Sequence, residues 1–341
     1  MKQKITKALK NVFINNKNII ESGIVKNIDF FQEEIIISIN LSNPTMHVKK
    51  KLEKDIYQSI KDQNLHFEEK KIRLKIEKKL DTTKKINGIK NIIAVASGKG
   101  GVGKSTIATN IAVSLVNMGF QVGLLDADIY GPSIPLMFNI GEDVISSCFF
   151  IKKNGNHLIN PIIRYGVKIL SLGFFSKPGE AIVWRGPMAT KVLRQFIHET
   201  NWDGLDFLIV DLPPGTGDIH LSLLQEIPLK GIIIVSTPQK IALSDVQRSV
   251  GMFRIQSIHV PILGIIENMS FFITEKEKYY FFGKNGAKNF SKKMNIFFLG
   301  EIPMLQDIRK SSDSGIPIVL ENDQIKKIFV KITKNIMDKL S

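Results

Sequence analysis

The segment Gly98-Lys99-Gly100-Gly101-Val102-Gly103-Lys104-Ser105-Thr106 constrains this chain more than any other. It fits the phosphate-loop pattern G-x-x-x-x-G-K-[ST] in full. The apolar run Ile92–Ala96 precedes it, and a helix-like stretch, Thr106–Met118, follows it. Glycines let successive backbone N–H groups curl around phosphate oxygens, and the start of a helix adds a field that favours negative charge. In such a loop Lys104 neutralises the β- and γ-phosphates and the Ser105 hydroxyl ligates Mg²⁺. Gly98, Gly100, Gly101, Val102, Gly103 and Thr106 complete the cradle.

The chain around the loop has the grammar of an α/β protein. Short apolar runs at Ile92–Ala96, Val122–Leu125, Phe207–Val210, Ile232–Val235, Ile262–Ile266 and Ile296–Leu299 are separated by Gly-rich turns and helix-length segments. Continuous apolar strands alternating with helices predict a mainly parallel sheet covered on both faces, here a P-loop NTPase domain over residues 91–341. Two runs end in acids. Leu124-Leu125-Asp126-Ala127-Asp128 places two carboxylates at the sheet's carboxyl edge, where nucleotides bind in open α/β sheets. One of Asp126 and Asp128 orients the attacking water and the other supports Mg²⁺ or its waters; the sequence leaves their assignment open. Phe207–Asp211 is the second strand-end acid, with Asp211 holding Mg²⁺ through water. The following Leu212–Asp218 stretch has the look of a switch that senses the γ-phosphate.

Residues 1–80 form a separate pattern. A helix is expected over Lys2–Ile14, strands over Ile24–Phe30 and Glu34–Ile39, a turn at Asn43-Pro44, a charged amphipathic helix over His47–Asp62 and a last strand over Lys71–Ile76. This is a small α/β domain without visible catalytic residues. Residues 81–90 read as a polar linker. The net charge of +15 invites a nucleic-acid or membrane partner, but residues 1–90 carry 20 Lys and Arg against 11 Asp and Glu. Lys, Asn and Ile abound throughout, as in A/T-rich coding, so neither nucleic acid nor membrane is expected as a partner. No apolar run approaches the ~20 residues that span a bilayer, and a soluble cytoplasmic protein is expected. One cysteine, Cys148, excludes an intramolecular disulfide.

Taken in order, Gly98–Thr106, Asp126–Pro135, Trp184-Arg185-Gly186-Pro187-Met188, Asp211–Asp218 and Glu267-Asn268-Met269-Ser270 resemble the Mrp/ApbC family of iron–sulfur cluster carrier ATPases. The first 80 residues resemble the MIP18-like domain that precedes the ATPase in bacterial members. The resemblance implies a homodimeric, Mg²⁺-dependent ATPase that binds iron–sulfur clusters and passes them to apoproteins. It implies that Lys99, the second lysine of a deviant phosphate loop, reaches the partner's nucleotide in trans. Thr237-Pro238 and Asn268 are implied to lie near the adenine.

This sequence departs from that pattern at one place. Where members follow Glu-Asn-Met-Ser with a Cys-x-x-Cys pair, this chain places Thr274 and Glu277. Clusters are held by thiolates, with histidine an occasional substitute, so no iron–sulfur ligand follows from these residues. Cys148 stands in Ser-Ser-Cys-Phe-Phe with no second Cys or nearby His and reads as a small buried side chain. The C-terminal stretch Asp323–Leu340 carries Ile325, Ile328, Phe329, Ile332, Ile336 and Leu340 on one helical face and five lysines elsewhere. Such a stripe packs on a sheet or lies on a membrane. Two rivals therefore stand beside the carrier reading: a positioning-type ATPase acting on DNA or membrane, and a scaffold that binds ATP without hydrolysing it.

Overall fold

A computed structural model describes residues 2–14, 17–30, 34–41, 46–62, 71–78, 86, 88–145, 150–153, 156–175, 186–217, 220–221, 223–224, 227–255, 258, 260–274 and 277–340. Asn43-Pro44, most of 81–90, Cys148, Trp184-Arg185 and Asp218 lie outside the described residues. The chain divides into two compact units, Met1–Asp81 and Thr82–Ser341.

In the smaller unit the central strand Glu34–Leu41 pairs antiparallel with Val25–Phe30 and parallel with Lys71–Lys78. The helix Met46–Asp62 makes the crossover that a parallel pair requires. Ile35, Ile37 and Ile39 alternate into its core with Leu52, Ile56 and Ile60 of that helix. The expected Lys2–Ile14 helix stops at Leu9. Asn11 and Val12 donate to the carbonyls of Ala8 and Leu9 in a tightening turn, and Phe13-Ile14 then pairs with Lys17-Asn18. The β-branched residues after Leu9 favour this extended pairing over another helical turn.

The larger unit is built on eight strands: β1 (Ile89–Ser97), β2 (Val122–Asp126), β3 (Ile162–Arg164), β4 (Val167–Ser171), β5 (Leu205–Asp211), β6 (Gly231–Ser236), β7 (Ile262–Glu267) and β8 (Phe298–Glu301). Their order is β3-β4-β2-β5-β1-β6-β7-β8, and every pairing is parallel except β3 with β4. Every residue of β2 and β6 is buried, so side chains pointing to either face meet cover, as the unbroken apolar runs predict. Strand β1 begins at Ile89, so its first two residues come from the polar stretch 81–90. Strand β8 starts two residues later than its apolar run: Ile296 N–H turns back to the Ser291 carbonyl beyond left-handed Asn295, closing the preceding helix.

The principal helices are α1 (Lys104–Asn117), α2 (Gly186–His198), α3 (Lys240–Phe253), α4 (Gly286–Met294), α5 (Gln306–Ser314) and α6 (Asp323–Asp338). Asn322 caps α6, its Oδ1 accepting from Gln324 N at 3.0 Å and Ile325 N at 3.1 Å. Ile325, Phe329, Ile332 and Ile336 are buried in the core of this unit, and Ile328 and Leu340 pack against it. The apolar stripe is thus spent on packing, and Lys326, Lys327, Lys331, Lys334 and Lys339 face outward. Among the described residues no helix is long and apolar enough to cross a membrane.

The two faces of α6 differ in what they contribute. Phe329→Ala is expected to destabilise the larger unit by about 3–5 kcal/mol through cavity formation. Lys331→Ala is expected to change stability by no more than about 0.5 kcal/mol. Urea unfolding followed by the fluorescence of buried Trp202 measures both.

Candidate functional site

Strand β1 ends at Ser97, the chain turns through the glycine loop, and α1 begins at Lys104. Two glycines are sterically required. A Cβ on Gly98 would stand 2.5 Å from the backbone of Asp245 and Val246 in α3. Gly103 has φ 84°, and a Cβ there would collide with the Asn268 amide. That amide is itself a latch: Asn268 Nδ2 donates to the Val102 carbonyl at 2.9 Å, holding the loop against the end of β7. Ser97 Oγ donates to the Lys99 carbonyl at 2.9 Å, while the Lys99 side chain is exposed at the rim.

Sheet register aligns the polar residues. Ser171 of β4 stands beside Asp126 of β2, Asp126 beside Asp211 of β5, and Asp211 beside Val95 of β1. The buried Lys104 ammonium lies 2.7 Å from Asp211 Oδ1 and 3.5 Å from Asp128 Oδ2. Ser105 Oγ donates to Asp211 Oδ2 at 2.5 Å. Asp126 accepts from Asp128 N (3.2 Å), Ile134 N (3.2 Å) and Ser171 Oγ (2.9 Å). Two carboxylates, Asp211 and Asp128, therefore share one ammonium, and a third, Asp126, stands beside Asp211. Burial, reinforced by the charge of Asp211, pushes Asp126 up to about 7. Burial likewise raises Asp211, against the pull of Lys104.

A cavity of about 230 Å³ opens over this row, lined by Ser97, Lys99, Gly100, Gly101, Gly103, Lys104, Ser105, Thr106, Asp128, Gly131 and Pro214. The loop after Asp211 borders it, tied by Leu212 N to the Val95 carbonyl (3.0 Å) and Gly215 N to the Ser97 carbonyl (2.9 Å). A second, largely apolar cavity of about 710 Å³ shares Gly103 and Thr106 with the first and takes in Asn268, Met269, Phe272, Phe281, Met304 and Arg309. Thr237 and Pro238 follow β6; Pro238 packs its carbonyl against Gly286 and does not line either cavity.

Thr274 and Glu277 close the tip of a hairpin in which Phe272-Ile273 pairs with Lys278-Tyr279. Thr274 N donates to the Glu277 carbonyl at 3.0 Å, and Glu277 N donates to Thr274 Oγ1 at 3.2 Å. Both residues are exposed, and among the described residues no three or more His, Cys, Asp or Glu converge as metal ligands.

Sequence reasoning passed over several members of the site. Ser171 ends an apolar strand in line with Asp126, a signal that the run Val167-Lys168-Ile169-Leu170 offers once it is seen as a strand. Glu267, buried and raised above the ordinary carboxylate range by that burial, accepts from Ala287 N at 2.5 Å and caps α4. His220 is buried within reach of Pro213, and burial holds its imidazole below the usual range.

A parallel sheet with a glycine cradle, a buried lysine, a helix start and strand-end carboxylates defines a P-loop NTPase. Residues 88–340 match the family model described as NUBPL iron-transfer P-loop NTPase, and residues 2–78 match one described as iron-sulfur cluster assembly protein. The chain belongs to this iron-transfer P-loop NTPase family. It is 37% identical over 336 residues to an "Iron-sulfur cluster carrier protein" of Synechocystis, covering 95% of this chain and 93% of that one. It is 47% identical to the "Iron-sulfur cluster transfer protein NUBPL" of Dictyostelium discoideum, over 75% of this chain and 78% of that one. Among solved structures it resembles a nucleotide-binding protein in complex with ADP from Archaeoglobus fulgidus, at 34% identity and TM-score 0.60, covering 73% of this chain and 96% of that one.

The carboxylate row predicts a pH effect on the protein itself. Asp126 binds its proton more tightly folded than unfolded, so folding stability is expected to fall as pH rises from about 4 to about 7. Asp126→Asn is expected to flatten that slope, read from urea unfolding at a series of pH values.

Proposed function

We propose that this chain is an Mg²⁺-dependent ATPase that works as a homodimer and carries iron–sulfur clusters to apoproteins. The observation that carries the ATPase half is that Lys104, Ser105 and Asp128 line the cavity that the glycine loop encloses, with buried Asp211 bonded to Lys104 and Ser105 behind them. ATP lays its phosphates in the polar cavity and its nucleoside toward the apolar one, past Gly103 and Thr106, with Asn268 alongside. A Ser hydroxyl bonded to an acid offers the hard oxygen donors that Mg²⁺ prefers, so Ser105 and Asp211 fit that ion. Bound there, Mg²⁺ neutralises phosphate charge.

Asp128 orients the water that attacks the γ-phosphorus, releasing ADP and phosphate. It lines the cavity, whereas both Asp126 oxygens are taken by Asp128 N, Ile134 N and Ser171. Asp126 thereby holds the Asp128 loop in place. Lys99, exposed at the rim, crosses to the partner's nucleotide and offsets charge in the transition state.

The cargo half rests on the relatives, which are named iron–sulfur cluster carrier or transfer proteins. The chain has one cysteine, so most thiolates on a travelling cluster come from the delivering or receiving protein. The membrane-positioning alternative loses its support with the apolar stripe of α6 packed inside.

Lys104→Ala is expected to lower ATP turnover by about 100-fold or more, whereas Lys99→Ala lowers turnover while leaving nucleotide affinity near normal. Full turnover by Lys104→Ala contradicts the site assignment. Cluster carriage is tested by anaerobic incubation with iron and sulfide, or with a cluster-loaded donor, followed by transfer to an apoprotein. ATP-stimulated transfer is expected; no cluster on the chain or passed through it in either nucleotide state rules carriage out.

A further inference from the structure

The loop between Asp211 and His220 contains Pro213 and Pro214, which have no backbone N–H. The sheet-like ties therefore reach only the residues on either side. Leu212 N donates to Val95 and Gly215 N to Ser97, so the two prolines can join hydrogen bonds only through their carbonyls. Pro214 is the part of this loop that lines the phosphate cavity. The Pro213 carbonyl meets His220 Nε2 at 2.7 Å. A carbonyl can only accept, so Nε2 carries the proton.

His220 is set to hold this position firmly. Only 3% of it is exposed, and its backbone N–H donates to the Gly217 carbonyl at 3.0 Å. The ring spans the loop from its far end back to its second residue. It lies near enough to Lys104 and Asp128 for both charges to act on it.

We infer that His220 is a positioning residue for ATP hydrolysis: its Nε2–H anchors the Pro213 carbonyl and so fixes Pro214 at the wall of the phosphate cavity. The inference rests on the ATPase reading above. The imidazole does not line the phosphate cavity. Its loss leaves a buried carbonyl without this partner and loosens the proline pair, so the consequence falls on turnover rather than on nucleotide binding.

The test compares three substitutions in the full-length protein, reading kcat and KM for ATP together with ADP affinity. A Gln side chain places an amide N–H about where Nε2 stands, whereas Asn is too short to reach and Leu fills space without a donor. His220→Gln is expected to retain turnover within about 3-fold, while His220→Leu and His220→Asn lose about 10-fold or more in kcat with ADP affinity within about 3-fold. Gln as impaired as Leu and Asn, or Leu and Asn turning over at the normal rate, overturns the inference. If Leu does not fold, the Gln–Asn comparison decides. Unaltered protein that hydrolyses no ATP overturns the ATPase reading and this role with it, whereas normal turnover with no Gln–Asn difference overturns this role alone.

Discussion

One buried ammonium among three carboxylates organises the nucleotide end of this protein. Lys104 is placed by the start of α1, and Asp126 and Asp211 by the last residues of neighbouring parallel strands whose register sets them side by side. Buried like charges repel, so the row persists only with compensation. The compensation is of three kinds: the Lys104 ion pair, hydrogen bonds from Ser105, Ser171 and backbone N–H groups, and a raised proton affinity at Asp126. With three carboxylates around one ammonium, the row holds more acidic than basic groups.

The far end of β7 extends this arrangement toward the hairpin. Glu267 and Asn268 are adjacent in sequence but serve different masters, Glu267 capping α4 and Asn268 latching the glycine loop. The hairpin Phe272–Tyr279 lies along the chain between Asn268 and the start of α4, which Glu267 caps, and its Phe272 lines the apolar cavity next to Gly103. One side-chain amide therefore joins the glycine loop to the segment that leads into the hairpin.

How much of this could be read from the sequence follows from how local each signal is. The glycine loop, Lys104, Ser105 and the strand-end acids Asp126 and Asp211 are readable because a strand, a turn and a helix impose them within a few residues. Strands β3 and β4 escaped notice because their runs are short and one is half exposed: Ile163 at the sheet edge faces solvent. Ser171 gained meaning only from pairing across β4 and β2, a relation between residues 45 positions apart. His220 is equally silent, since a single histidine after a glycine turn carries no pattern until its ring is seen against the Pro213 carbonyl. At Leu9 local helical periodicity gave way to tertiary pairing, and at Ile296 a helix cap took a residue that apolarity alone assigns to a strand.

The polar row and the hairpin tip stand on different footings in this fold. Ser97, Asp126 and Asp211 end strands of the sheet, Asp128 follows one, and Lys104 and Ser105 open α1, all set against a core of buried strands. The hairpin tip sits outside that core, and its closure needs only two backbone hydrogen-bonding partners and a side chain able to join them. Thr274 supplies that through its hydroxyl, accepting from Glu277 N and donating to the Glu277 carbonyl at 3.1 Å. Thr274 and Glu277 are thus spent on joining the two strands of an exposed hairpin, whereas the strand-end carboxylates beside Lys104 are buried.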